Sequence, residues 1–254
     1  MIHLDGKVAI VTGSSRGIGR GSAVELARAG AHVTVNYRTH PEDAEETAAQ
    51  IRALGREALV VQADVSDRAQ VDALVAQTCQ RFGRLDILVA NAAFSIRKPF
   101  LELTSEDLER TWAVSLWGVF HSCQAAARVL VEQGQGGKLV IISSVHAFIP
   151  FGTALPYNTA KAGINNMGYT IATELAPYRI NVNIIEPGWT DTPGERQFAT
   201  DEQLAAAAAK LPWGRMATIQ DIGRAVAFLC SPAADYITGA CLRVDGGFWL
   251  PGRA

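Results

Sequence analysis

The chain has no apolar stretch of the roughly 20 residues that a bilayer-spanning helix needs, so no membrane-embedded role is expected. It has no excess of one charge. Lys and Arg number 23 against 25 Asp and Glu, for a formal net charge of −2, with no long basic run. Neither nucleic acid nor an anionic membrane surface is attracted by that balance. Cysteine is sparse, and Cys79, Cys123, Cys230 and Cys241 show no CxxC pairing. That spacing excludes a disulfide framework and the common zinc patterns, and leaves buried free thiols of a cytoplasmic protein as the expectation. Histidines and acids do not cluster at metal-ligand spacing, so no metal is expected. The opening "MIHLDGKVAIVTG" lacks a charged n-region and a small-residue cleavage site. It reads as a first strand and not as a signal peptide. No linker and no internal repeat interrupts the chain.

What is present is a regular alternation of short apolar runs and helix-period stretches over 254 residues, 48% of them hydrophobic. The runs are "KVAIVT", "AHVTVNY", "EALVVQAD", "DILVAN", "GKLVIISS", "INVNIIEPG" and "ACLRVDG". Near-continuous apolar strands suit a sheet covered on both faces. Between them, "EDAEETAAQIRALG" and "AQVDALVAQTCQRFG" close on Gly55 and Gly83, plausible C-terminal caps. The pattern predicts one α/β domain over 1–254: a Rossmann-type, doubly wound, mostly parallel seven-stranded sheet with helices on both faces. A long segment around 188–214 is expected to act as a substrate lid.

In such sheets ligands sit beyond the carboxyl ends of the strands. "VTGSSRGIGR" follows the first strand and opens a helix, with Gly13, Gly17 and Gly19 spaced to let a backbone approach a pyrophosphate. Ser15, Arg16 and Ile18 complete that turn. The second strand ends at Asn36, Tyr37 and Arg38, with no acid to hold ribose hydroxyls. Arg38, helped by Arg16, is placed for a 2′-phosphate. NADP(H) is therefore expected in preference to NAD(H), with dual use left open. Asp64 and Val65 follow the third strand, where they can meet the adenine edge. Asn91, Ala92 and Ala93 follow the fourth, where small residues let a cofactor lie close.

"YNTAK" places Tyr157 and Lys161 four residues apart, on one face of a helix. A free phenol has a pKa of about 10, and a nearby ammonium favours its ionised form, tuning it toward acid/base work near neutral pH. Taken in order, "TGSSRGIG", "DV" at 64–65, "NAA" at 91–93, "ISS" at 142–144, "YNTAK", "EPGWTDTP" at 186–193 and "YITGACLRVDGG" resemble the short-chain dehydrogenase/reductase family over essentially the whole chain. The resemblance implies Tyr157 as general acid/base, Lys161 as its activator and ribose partner, and Ser144, thirteen residues upstream, as substrate-orienting serine. It implies that Pro187, Gly188, Thr190 and Thr192 hold the nicotinamide carboxamide, and that Asn91 lies beside the adenosine ribose.

Two positions depart from the family pattern. Ser115, three before Gly118, stands where the family carries an asparagine whose backbone carbonyl helps position a relay water for the lysine. Ala93 stands where glycine is usual, and a slight backbone shift is expected there.

Substrate is expected between "VHAFIPFGTAL" and the 188–214 segment, with Phe94, His146, Phe148, Phe151, Trp189 and Trp213 as candidate lining residues. The implied reaction interconverts a secondary alcohol and a carbonyl by hydride transfer. "SSVHAFIP" and "EPGWTDTPGE" look most like sugar and polyol dehydrogenases, glucose 1-dehydrogenases included; 3-oxoacyl-carrier-protein reductases are the alternative. A dinucleotide-binding regulatory protein without catalysis is the alternative of another class, with Ser115 as its one supporting feature. The helix-period stretches 105–133 and 154–176 carry more apolar surface than one sheet face covers. The family commonly pairs such helices between subunits, so a homotetramer, or else a dimer, is expected.

Overall fold

The structure, a computed structural model, describes residues 2–197 and 200–250. Residue 1 and residues 251–254 of the expected domain, and 198 and 199 of the expected lid, lie outside the described residues. Seven strands form one sheet: β1 (Val8–Val11), β2 (His32–Tyr37), β3 (Ala58–Gln62), β4 (Ile87–Ala90), β5 (Gly137–Ile142), β6 (Ile180–Pro187) and β7 (Cys241–Val244). Their order is β3-β2-β1-β4-β5-β6-β7. Every pairing is parallel, so the sheet is wholly and not mostly parallel.

The alternation of side chains along each strand explains the unbroken apolar runs. Ile10, Leu88, Leu139 and Ile141 face one side, packing with helices α3 (Arg68–Phe82), α5 (Gly118–Gln133) and α6 (Leu155–Leu175). Ala9, Val11, Ile87, Val89, Val140 and Ile142 face the other, packing with α1 (Gly17–Arg28), α2 (Pro41–Ala53) and α8 (Ile219–Cys230). Both faces are buried, so no strand needs a polar alternation. The two helices expected to end on glycine do so: Gly83 caps α3 at φ +76°, and Gly55 lies just past α2 at φ +74°.

The stretch 105–133 is not a single regular helix. It divides into α4 (Ser105–Trp112), a wide π turn over Ala113–Trp117, and α5. Such turns carry one extra residue and re-aim the side chains around them. Within 188–214, helix α7 (Asp201–Ala208) absorbs the alanine run and is capped by Thr200 through a reciprocal bond with Gln203. All four cysteines are free, and burial pushes the Cys123 and Cys230 thiols up to about 12. Among the described residues no helix is long and apolar enough to cross a membrane, and no group of side chains is arranged to hold a metal.

The chain reverses direction of winding between β1 and β4, and the carboxyl ends of those strands open a crevice. The functional residues converge there.

Candidate active site

One cavity of about 990 Å³ runs from Arg38 and Asp64, past the glycine turn and Tyr157, to Phe248. At its phosphate end the β1–α1 turn uses glycine for two reasons. Gly13 and Gly17 sit at φ +61° and +58°, which side-chain-bearing residues avoid. A Cβ on Gly19 would lie 2.3 Å from the Gly13 carbonyl oxygen. Helix α1 opens with no side-chain cap and no acid in its first turn. Its first N–H groups are therefore left to an anion, the arrangement that suits a pyrophosphate. The residues present fit a dinucleotide.

Asn36 and Asn91 hold this turn in place, together with Thr12, Arg20 and Thr47, which the sequence reading does not single out. Asn36 is 1% exposed, accepts from the Gly13 N–H at 3.0 Å, and donates to the Ala63 carbonyl at 3.1 Å. The Thr12 hydroxyl accepts from the N–H groups of Asn91 and Ala92 at 2.9 and 3.1 Å. Arg20 donates twice to the Ser15 carbonyl, at 3.0 and 2.8 Å, and Thr47 donates to it at 2.9 Å. The Asn91 side-chain amide donates to the carbonyls of Thr12 and Gly13 at 2.8 and 3.1 Å, so it clamps the turn from behind. No residue type at these positions announces such a role, since most of these bonds join segments far apart in sequence.

At the adenosine end, Arg38 lies 3.5 Å from Asp64 and keeps 55% of its side chain exposed. Burial raises the Asp64 carboxyl, but bonds from the Ser66 hydroxyl and N–H, with the Arg38 charge, outweigh it and hold the group below its ordinary value. Tyr37, Val65, Ala93, Arg16, Ser15 and Ile18 all line the cavity. So do Pro187, Gly188, Thr190 and Thr192 beyond β6, where Thr190 is 4% exposed and bonds back to Gly188 at 3.1 Å.

Tyr157 and Lys161 stand one turn apart on α6, with the Lys161 ammonium nitrogen 5.2 Å from the phenol ring centre. Ser144, just beyond β5, is hydrogen-bonded to the phenol. Its hydroxyl oxygen also accepts from the His146 N–H at 3.2 Å. Burial opposes the activation of the phenol that the sequence predicts. Burial, reinforced by the Glu195 charge, pushes Tyr157 up to about 12 against the pull of the Ser144 bond. Lys161 is 1% exposed, donates to the Ile142 carbonyl at 2.7 Å, and is pushed down to about 7 by burial. Desolvation works against the charged form of each.

Ser115 is not part of the cleft wall. At the π turn that wall is made by Val114. The Ser115 hydroxyl is fully buried behind it, donating to the Phe94 carbonyl at 2.7 Å and accepting from the Phe94 N–H at 2.9 Å. Its side chain anchors a pocket residue, and its one proton is committed to the Phe94 carbonyl.

Of the expected pocket residues, Phe94, His146, Phe151 and Trp189 line the cavity. Phe148 and Trp213 do not. Phe148 instead lies on the Arg243 guanidinium, 4.1 Å from its ring centre, and Trp213 is 70% exposed. The structure adds Arg97, Glu195 and Phe248 to the wall. Arg97 and Glu195 belong to different connections and meet at 3.7 Å, a pairing with no sequence signature.

The chain matches, over residues 13–249, a family model described as enoyl-(acyl carrier protein) reductase. It is 36% identical to an L-rhamnose 1-dehydrogenase (NAD(P)(+)) of Sphingomonas sp., over 97% of this chain and 98% of that protein. It is 39% identical to 3beta-hydroxysteroid dehydrogenase 1 of Eggerthella lenta, over 97% of this chain and 95% of that protein. Its fold is similar to that of a short-chain type dehydrogenase/reductase from Mycobacterium marinum, with TM-score 0.92, 34% identity and 98% of each chain covered. It is also similar to a candidate 2-deoxy-D-gluconate 3-dehydrogenase from Agrobacterium tumefaciens with bound NADP, with TM-score 0.87, 34% identity, and 97% of this chain and 98% of that one covered. The chain thus belongs to the short-chain dehydrogenase/reductase family and is an NAD(P)-dependent oxidoreductase that interconverts alcohols and carbonyls.

Proposed function

We propose that the chain oxidises and reduces a sugar, polyol or similar small hydroxy compound, with Tyr157 as the proton donor and acceptor at the reacting oxygen. When bound, the dinucleotide supplies or takes up the hydride at its nicotinamide. The chain's own task is to hold the substrate oxygen and manage one proton. Burial keeps the Tyr157 phenol protonated, the form that gives its proton to a carbonyl oxygen during reduction. Ser144 accepts from the His146 N–H, and its one proton, turned to the phenol in the substrate-free cleft, can swing to the substrate oxygen and stabilise developing alkoxide charge. Oxidation needs the phenol ionised. Lys161, once protonated, is the positive charge the chain places one turn away.

A single observation carries this reading. A lysine 1% exposed, whose ammonium has one hydrogen-bond acceptor among the described residues, is costly to the fold, and such groups concentrate where chemistry needs them.

Arg38 and Arg16 at the adenosine end, with no acid closing β2, support NADP(H) as the preferred dinucleotide. The segment 188–214 serves as lid, tied at Trp189 and Glu195. A second copy of the chain is the protein partner, in a homotetramer, and the exposed Trp117 beside α5 marks the paired face. Loss of near-ultraviolet NADPH absorbance across a panel of sugars, polyols, ketones and aldehydes tests the activity. Turnover of at least one sugar or polyol pair is expected. Dinucleotide binding with no turnover of any alcohol or carbonyl contradicts it, and turns the reading to a regulatory protein.

A further inference from the structure

The substrate end of the cleft has two unlike walls. One is aromatic: Phe151 stacks on His146 with ring centres 4.1 Å apart and on Phe248 at 6.0 Å. The other is charged. Glu195 accepts from the Trp189 indole N–H at 3.0 Å and lies 3.7 Å from Arg97. An ionised carboxylate offers about four acceptor sites, and the Glu195 side chain keeps 31% of its surface exposed. It therefore has acceptor capacity to spare, turned to the cleft it lines.

His146 is fixed as a second acceptor. The Asn158 amide donates to the Phe151 carbonyl at 2.9 Å, which sets which end of that amide is oxygen. That oxygen, 2.7 Å from His146 Nδ1, requires the ring proton on Nδ1. Burial, opposed by the Asn158 bond and the Glu195 charge, holds the ring below its ordinary pKa and so neutral. Its Nε2 is then the acceptor left for a ligand. The charged wall thus presents one acceptor and one guanidinium, and His146 adds a second acceptor from within the aromatic wall.

We propose that Glu195, held between Trp189 and Arg97, is the specificity-determining residue that selects a neutral polyhydroxylated substrate, its carboxylate accepting hydrogen bonds from hydroxyls beyond the reacting carbon. The inference rests on the reading of the site as that of a sugar or polyol oxidoreductase. A sugar ring lays its C–H face on Phe151 and donates its hydroxyls to Glu195 and His146. A steroid or an acyl chain strips water from Glu195 and Arg97 and returns no hydrogen bond, which is costly. A sugar acid brings its carboxylate toward the Glu195 charge, and that carboxylate has no proton to give His146 Nε2.

The test compares kcat/KM for a neutral aldose and for the aldonate of the same carbon skeleton, in the wild type and in two variants. The wild type is expected to favour the aldose. Glu195→Gln keeps the shape and removes the charge. It should lower the aldose-to-aldonate ratio about tenfold or more, the scale of one hydrogen bond to a charged group, mainly through KM. Arg97→Gln removes the opposing cation and should raise the same ratio. Opposite shifts in two neighbouring variants are not produced by a structural loss common to both, and the Arg97 arm still decides the matter should Glu195→Gln fold poorly. A wild type that favours the aldonate, or a ratio unchanged in both variants while sugars are turned over, overturns the role of Glu195 alone. Oxidation of simple secondary alcohols or steroids with no turnover of either sugar class overturns the sugar reading beneath it as well.

Discussion

Lys161 and Tyr157 are the two most perturbed groups in the cleft, and burial is the first cause in both. For Lys161 this has a measurable consequence without any cofactor. Its pKa falls from 10.5 unfolded to about 7 folded. Between those values the unfolded chain binds the extra proton, so this group's contribution makes the fold more stable as pH rises from about 7 to 10.5 and changes nothing outside that window. The difference in Tm between the cofactor-free wild type and Lys161→Met should accordingly shift in favour of the wild type from pH 7 to 10. A difference that stays flat contradicts the lowering of the Lys161 pKa by burial. Ser115→Ala leaves the Phe94 N–H and carbonyl without their partner, a loss of about 1–3 kcal/mol for each buried group left unsatisfied. Chemical denaturation should show a loss on that scale, with kcat kept within a few-fold. A collapse of kcat at unchanged stability would return Ser115 to the proton relay. At this scale the sequence showed which residues meet and not how they titrate. The four-residue spacing of Tyr157 and Lys161 placed the pair, but the outcome depends on how little water surrounds it, and that is a property of the packed fold.

The β1–α1 turn works as an element because neighbouring strands clamp it. Asn36 from β2, Asn91 from beyond β4 and Arg20 from α1 each hold a different backbone group of the turn. Asn36→Leu strands the Gly13 N–H and the Ala63 carbonyl, so the turn should loosen and KM for the dinucleotide rise with little change in kcat. Gly19→Ala forces the turn apart at the 2.3 Å approach and should raise that KM further. Steady-state kinetics at saturating substrate reads both. Equal kcat and KM to the wild type in both variants would mean the clamp is irrelevant to binding. The expected preference for NADP(H) belongs to the same end of the sheet. Arg38→Ala should collapse the ratio of KM for NAD+ to KM for NADP+, and an unchanged ratio removes the phosphate role from Arg38. The strands themselves were legible to within a residue or two, because burial on both faces writes itself as an unbroken apolar run. The π turn at 113–117 was not, since one extra residue hardly disturbs a 3.6-residue period. The clamp was not either, because Asn36 and Thr12 look like any polar residue at a strand end.

For the whole molecule, alternation of β and α along the sequence predicts the doubly wound architecture, the strand order is read from the structure, and the two helix layers follow from side chains alternating across each strand. The same reasoning does not show which surface meets a partner. Leu101, Phe100 and Trp117 keep 94%, 71% and 54% of their surface exposed on the segment running from before α4 into α5, an apolar excess that a second copy would cover. Light scattering at micromolar concentration should give a mass several times that of one chain, and Trp117→Glu should reduce it. A monomeric wild type contradicts the tetramer. The central claim, that α6 delivers the Tyr157 phenol to the cleft as the acid/base of hydride transfer, is tested most directly by Tyr157→Phe. kcat for carbonyl reduction should fall about 100-fold to 10,000-fold, the scale of a lost general acid, while the dissociation constant for NADPH, read by fluorescence, stays within a few-fold. A variant that binds NADPH normally and keeps more than about a tenth of wild-type kcat, far outside that scale, would contradict the account.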